Sequence, residues 1–338
     1  MVLSSSSSAA EFKFIPCSHS WIALHPRPKG VIQFVGSTLF GTFPTLSYRH
    51  FLKSFFEAGY TVIALPFRFT FNHWSIALDL LDEHYTLRTA LVELAIANGY
   101  DPSIYLNAAS YAWMAHGLGC KYAMLLELLS SPTDILVGAG LGQRAERRQR
   151  QQIQQGLACI STRLRQMEVR IQHLTGQQVD YGWPSIKQQP SIWLAPTVTD
   201  LNDAIPVKSL QQSVKLFLTV SPTVEQTHQL IAQSRLFQQT GLVQFARDRI
   251  TAGTCQQLMQ EQPHIRRRLL KGSHLDPVGI QLGQFIVDFN PLDKFIQPLS
   301  SRDLETKALA LLQRLQKMPS PRQTGCTVRY TRHKSMAA

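Results

Sequence analysis

The stretch "YTVIALPF" (60–67) constrains this chain most: it is apolar and β-branched, with no polar alternation. A strand with one face in water alternates, so a continuous apolar run fits a strand buried on both faces, as in a parallel sheet. Just before it, "TLSYRHFLKSFFEAG" (45–59) carries apolar residues at helical spacing and ends on a glycine stop. The same alternation recurs. "SWIALHP" (20–26) and "KGVIQFVGS" (29–37) read as strands across a Pro-rich joint. "IALDLLDEHYTLRTALVELAIANG" (76–99) reads as a helix with a break near Glu83. "YAWMA" (111–115) reads as a strand and "GCKYAMLLELLSS" (119–131) as a helix. Later come strand 239–247, helix 251–263, strand 265–274 and helix 302–318. This pattern predicts the α/β class: a mostly parallel sheet with helices on both faces.

Residues 132–190 interrupt the alternation. Ile153, Leu157, Ile160, Leu164, Met167, Ile171 and Leu174 recur at steps of four and three on a Gln/Arg-rich helix. Such a stripe lies on its own domain, on a partner helix or on an anionic surface. Either "DILVGA" (134–139) or "SIWLAP" (191–196) continues the sheet, and the second is preferred. The expected organisation is therefore a first half of the core at 1–131, a basic helical insertion at 132–190, a second half at 191–317 and a basic, disordered tail at 318–338.

The chain's 338 residues suffice for a sizeable core, and 44% are hydrophobic. The net charge of +12 favours acidic partners through surface potential. No basic stretch is interleaved with aromatic residues, so nucleic acid is not expected as a partner. Cys17, Cys120, Cys159, Cys255 and Cys326 are scattered and form no paired motif, which fits thiols in a reducing compartment. No apolar run is long enough to span a membrane. The serine-rich start resembles a shortened plastid leader but carries no arginine. The expected location is cytoplasmic, with the plastid stroma as the alternative.

The chemistry centres on "AHGLG" (115–119), between a strand and a helix. Its frame matches the G-x-S-x-G elbow, in which small residues let a strand reverse sharply into a helix and display the middle residue above the sheet. Here the middle residue is Gly117, which suits the backbone but offers no nucleophile. Asp248 follows a later strand and His274 the next one. Nucleophile, acid and histidine in that order, each just past a strand, is the α/β-hydrolase sequence of parts. The loop "FVGSTLFG" (34–41) supplies oxyanion candidates: Ser37 or Thr38, together with Leu118 after the elbow. Each residue also has a plain structural reading. Asp248 can cap the helix after it, and His274 can be an ordinary loop histidine. Cys120 begins the elbow helix and is expected to point into the core rather than replace the nucleophile. Ser37 facing the site is a further alternative. His116 and His73 are expected to pack or hydrogen-bond locally. Nothing in the histidine or cysteine spacing suggests a metal, and "GAGLGQ" (138–143) lacks the rest of a nucleotide-binding pattern. No cofactor is expected.

Taken together, these stretches resemble the α/β-hydrolase-like family DUF1350. The resemblance rests on "PKGVIQFVGSTLFGTFPTLSYRHFLKSFFEAGYTVIALPF", "FTFNHWSIA", "HGLGCKY", "AIPVKSL", "SPTVEQTHQLI", "LVQFARDRI" and "LKGSHLDP". It implies a hydrolase-like sheet and an Asp248–His274 pair. It also implies a serine where this chain has Gly117, and Gly and Ala where it has Ser37 and Thr38. No substrate follows from it. The leading expectation is a non-catalytic protein that binds a small apolar or ester ligand, or a protein partner through Ile153–Leu174. The alternative is an active hydrolase, serine-independent or weak and esterase- or lipase-like, using His274 and Asp248.

Overall fold

The computed structural model describes residues 10–131, 143–187, 189–198, 220–287, 296–299 and 302–318. Its centre is an eight-stranded sheet. The strands are β1 (Ile15–Cys17), β2 (Ser20–Ala23), β3 (Val31–Val35), β4 (Thr61–Ala64), β5 (Tyr111–His116), β6 (Ser191–Leu194), β7 (Thr240–Phe245) and β8 (Arg266–Leu270), in the order β1-β2-β4-β3-β5-β6-β7-β8. β1 and β2 pair antiparallel, and β2 runs antiparallel to β4. From β4 to β8 every pairing is parallel. This is an α/β-hydrolase-like architecture, built as the apolar runs predict.

Burial explains those runs. β3, β4, β5 and β6 are buried at every position because helices cover both faces. Side chains alternate between two cores. Tyr111, Trp113, Trp193 and Leu242 join one of them, packed with helices α2 (His73–Ala97) and α3 (Gly119–Leu129). Ala112, Met114, Ile192 and Val243 join the other, with α1 (Arg49–Glu57) and the C-terminal helix Leu304–Gln316. β8 is different: Arg266, Arg267 and Arg268 are exposed on an edge strand. Charge on an edge discourages pairing with another chain.

Three expectations change. The helix expected to break near Glu83 is continuous through it. Glu83 turns out of the helix to accept hydrogen bonds from the Ser18 and Ser20 hydroxyls (2.7 Å each) and the His19 N–H (3.0 Å), which pins the β1–β2 hairpin. The helix expected over 45–59 is two pieces, Pro44–Ser47 and α1. A small antiparallel sheet of Ile280–Leu282, Phe285–Val287 and Ile296–Pro298, which the sequence pattern did not suggest, follows β8. Of the two candidate strands, Ser191–Leu194 lies in the sheet between β5 and β7. Residues 134–139 fall outside the described residues, as does the tail beyond Met318.

The interrupting segment forms a long helix, α4 (Gln143–Thr175). Most of its stripe is covered: Ile153, Leu157, Ile160, Leu164 and Ile171 are buried. The cover is α2, with ion pairs Arg163–Asp82 and Arg170–Glu93 at the margin. Gly156 lets the two helices close up, since a Cβ there would lie 2.7 Å from Leu78 Cδ1. The helix therefore lies on its own domain, the first of the three arrangements its stripe allowed, with Met167 half-buried and Leu174 exposed toward its C-terminal end. No described helix is long and apolar enough to cross a membrane.

Candidate active site

β5 ends at His116 and α3 begins at Gly119, so the whole reversal is two residues long. Gly117 has φ +55°, in the left-handed region that glycine enters at no steric cost. Gly119 is required by proximity: any Cβ there would run into the Val35 carbonyl and, at 2.5 Å, the Gly36 carbonyl at the end of β3. The elbow is thus pressed directly against the loop that carries Ser37.

Asp248 and His274 meet at the same sheet edge. His274 Nδ1–H donates to Asp248 Oδ2 over 3.1 Å. A carboxylate only accepts, so a proton sits on Nδ1, and in the neutral ring Nε2 carries the lone pair. Asp248 also ties its own loop, but it does not cap the helix after it, whose N-cap is Thr251. Its Oδ1 accepts from the N–H of Ile250 (2.9 Å) and Thr251 (3.2 Å), and its Oδ2 from the Thr251 hydroxyl (2.5 Å). Burial disfavours its charge, but the hydrogen bonds from His274 and Thr251 outweigh burial and hold the carboxyl below its usual range. The His274 loop is anchored by Asp276, which accepts from the Ser273 N–H (2.8 Å) and hydroxyl (2.9 Å). Gly272, at φ +137°, leaves the room that Asp276 fills.

A second relay runs beneath. His116 Nε2–H donates to the His274 carbonyl (2.9 Å), so its Nδ1 accepts from the Tyr48 hydroxyl (2.8 Å). The Tyr48 oxygen in turn accepts from the Ser37 N–H (2.9 Å). Burial, with the neighbouring His274 second, lowers the His116 pKa to about 3, which keeps the ring neutral and the relay in one tautomer. This links the Ser37 loop to the His274 loop through two fully buried side chains. Sequence reasoning missed Tyr48 and Thr251. Tyr48 sits at the junction of two helical pieces, and nothing in the spacing marks it. Thr251, three residues past Asp248, fits a side chain bonding back to that loop, a local signal that could have been read.

The relay also corrects one expected role. The Ser37 N–H is committed to Tyr48 and is no oxyanion donor. The Leu118 and Thr38 N–H groups have no hydrogen-bond partner among the described residues and stay available. Cys120 is fully buried, with its Sγ 3.5 Å from the Leu194 carbonyl, and burial pushes its thiol well above the usual range. It belongs to the core, as expected. No cluster of metal-ligating side chains occurs among the described residues.

One contact bears on the alternative in which Ser37 faces the site. A Cβ placed on Gly117 would lie 2.5 Å from Ser37 Oγ, 2.9 Å from Ser37 Cβ and 3.7 Å from His274 Nε2. The Ser37 side chain already stands where an elbow side chain would go, and His274 Nε2 borders the same space.

Residues 13–134 match the family described as "Protein of unknown function (DUF1350)". That stretch holds the elbow and the Ser37 loop, but neither Asp248 nor His274. A comparison with curated proteins finds no match. Among solved structures, the carboxylesterase Cest-2923 from Lactobacillus plantarum WCFS1 is similar at 12% identity and a TM-score of 0.46, over 90% of this chain and 96% of that one. Esterase B from Lactobacillus rhamnosis is similar at 12% and 0.45, over 86% and 77%. An esterase from Pyrococcus furiosus is similar at 11% and 0.44, over 90% and 91%.

Proposed function

We propose that this protein is an acyl-ester hydrolase in which His274, oriented by Asp248, is the general base. One observation carries the reading: the 3.1 Å bond from His274 Nδ1 to a carboxylate with no solvent-exposed side-chain surface, which leaves Nε2 turned to the elbow. A merely loop-capping aspartate would be satisfied by Ile250 and Thr251. An imidazole held in one tautomer, with its lone pair facing a small-residue turn, is equipped to take a proton from a hydroxyl or water attacking a carbonyl.

With the Ser37 N–H committed to Tyr48, Leu118 and Thr38 remain as oxyanion donors, one after the elbow and one from the loop. Activated acyl esters, whose leaving groups need the least help, are the substrates that test the site most sensitively.

Gly117 favours one competing reading, a frame that binds an ester-like or apolar ligand without turning it over. Hydrolysis of p-nitrophenyl butyrate separates the two. The hydrolase reading expects steady release of p-nitrophenolate by the wild-type chain, with a loss of about 10³-fold or more in His274→Ala. Equal release by both proteins would leave only binding.

A further inference from the structure

We propose that Ser37 is the nucleophile of this site, standing in from the neighbouring loop for the residue that Gly117 does not supply. The inference rests on the hydrolase reading and deepens it. Side chains at 37 and 117 compete for one volume, because a Cβ on Gly117 would come within 2.5 Å of Ser37 Oγ and 2.9 Å of Ser37 Cβ. The side chain that holds the volume bears a hydroxyl. The same point lies 3.7 Å from His274 Nε2, so base and hydroxyl close on it together.

Three further observations fit a reacting hydroxyl. Ser37 Oγ has no hydrogen-bond partner among the described residues, whereas the Ser273 hydroxyl beside His274 donates to Asp276. Rotation about its Cα–Cβ bond toward Nε2 therefore breaks no bond. The residue is half-buried, so part of it is open to a substrate. Its backbone is held at both ends: the N–H bonds to Tyr48 Oη at 2.9 Å, and the carbonyl accepts from the Gly41 N–H at 2.5 Å. The first of these bonds runs on through His116 to the carbonyl of His274 itself, which fixes the two loops relative to each other. Such restraint is what positions a nucleophile against its base.

The step balances as an acyl transfer. His274 Nε2 takes the Ser37 hydroxyl proton as Oγ bonds to the acyl carbon, and the carbonyl π-pair moves onto oxygen. The tetrahedral adduct collapses with cleavage of the ester C–O bond, and the departing alkoxide takes the proton from Nε2. Water then attacks the Ser37 ester, giving its proton to Nε2. Collapse releases the carboxylic acid and returns the proton to Ser37 Oγ.

The test uses the full chain and ethyl p-nitrophenyl hexylphosphonate, which captures an activated hydroxyl as a stable adduct. Tryptic peptides are then mapped by mass spectrometry. The proposal expects one adduct, on Ser37 within the peptide 30–49, formed at least about 10²-fold more slowly in His274→Ala. It expects Ser37→Ala, with a thermal transition like the wild type's, to lose both the adduct and p-nitrophenyl butyrate turnover. The adduct position in the wild-type chain decides the question even if the variant folds poorly. Turnover that needs His274 but survives in Ser37→Ala, with no adduct in 30–49, would overturn Ser37 and leave His274 activating water. No adduct and no His274-dependent turnover would overturn both this proposal and the hydrolase reading.

Discussion

At the scale of single residues, the elbow and its neighbour constrain each other. Restoring a serine at 117 alone does not rebuild a conventional site, because its Cβ would meet Ser37 at 2.5–2.9 Å. Gly117→Ser is expected to lower stability by about 1–3 kcal/mol, the usual cost of overpacking, and not to raise turnover. The paired variant Ser37→Gly/Gly117→Ser removes the clash and is expected to recover most of that loss. Urea denaturation of the two singles and the double gives the coupling, and additive effects would mean that the side chains do not compete. Asp248 makes a second prediction. Because its hydrogen bonds hold the carboxyl below its usual range, it stays ionised well into acid, and loss of activity on mild acidification is not expected to come from its protonation. Asp248→Asn can accept from His274 on only one oxygen and permits the wrong tautomer. It is expected to cut p-nitrophenyl butyrate turnover by about 10²–10⁴-fold while leaving KM nearly unchanged. Asp248, His274 and Gly117 were readable in the sequence because each follows a recognisable strand. The Ser37–Gly117 competition was not, since it depends on how closely β3 and the elbow approach.

At the scale of elements, α4 shows where pattern reading stops. Its apolar stripe was plain, but nothing in the periodicity said which surface covers it. The structure supplies α2, a helix buried over most of its length whose own sequence names no single outward face. Leu157 is almost fully buried in that contact. Leu157→Ala is expected to cost about 2–5 kcal/mol in urea denaturation. Removing the marginal pairs, by Arg163→Ala or Arg170→Ala, is expected to cost less than about 1 kcal/mol, since both arginines are exposed. A neutral Leu157→Ala would mean that α4 does not rest on α2. The break wrongly expected near Glu83 has a related cause. A charged residue on an apolar helix looks like an interruption until its partners, Ser18, His19 and Ser20, come into view from sixty residues away.

At the scale of the whole molecule, buried histidines set the response to acid. His116 and His73 are lowered to about 3 by burial, with neighbouring charge second, and His84, enclosed between Gln33 and Gln189, is lowered by burial as well. A histidine that stays neutral in the fold binds its proton only after unfolding. The unfolded chain then holds more protons below about pH 6.5, so stability falls as pH drops from there toward about 3. Glu127 works the other way. Burial raises it to about 8, so its contribution declines as pH rises from about 4.5 to 8. Asp276, also raised by burial, acts in the same direction as Glu127, but the three rings give a net loss in acid. Urea midpoints at pH 7, 6 and 5 are expected to fall steadily, and a flat series would contradict the neutral burial of these rings. The parallel sheet and its order of parts were legible because burial on both faces leaves continuous apolar runs. The small sheet after β8 was not, because its strands are three residues long and largely exposed. The central claim is that this frame retains a working base beside a captured hydroxyl. Its most direct measurement is the initial rate of p-nitrophenyl butyrate hydrolysis by the wild-type chain set beside His274→Ala under the same conditions. The account predicts a wild-type rate at least about 10³-fold above the variant; rates that coincide would contradict it.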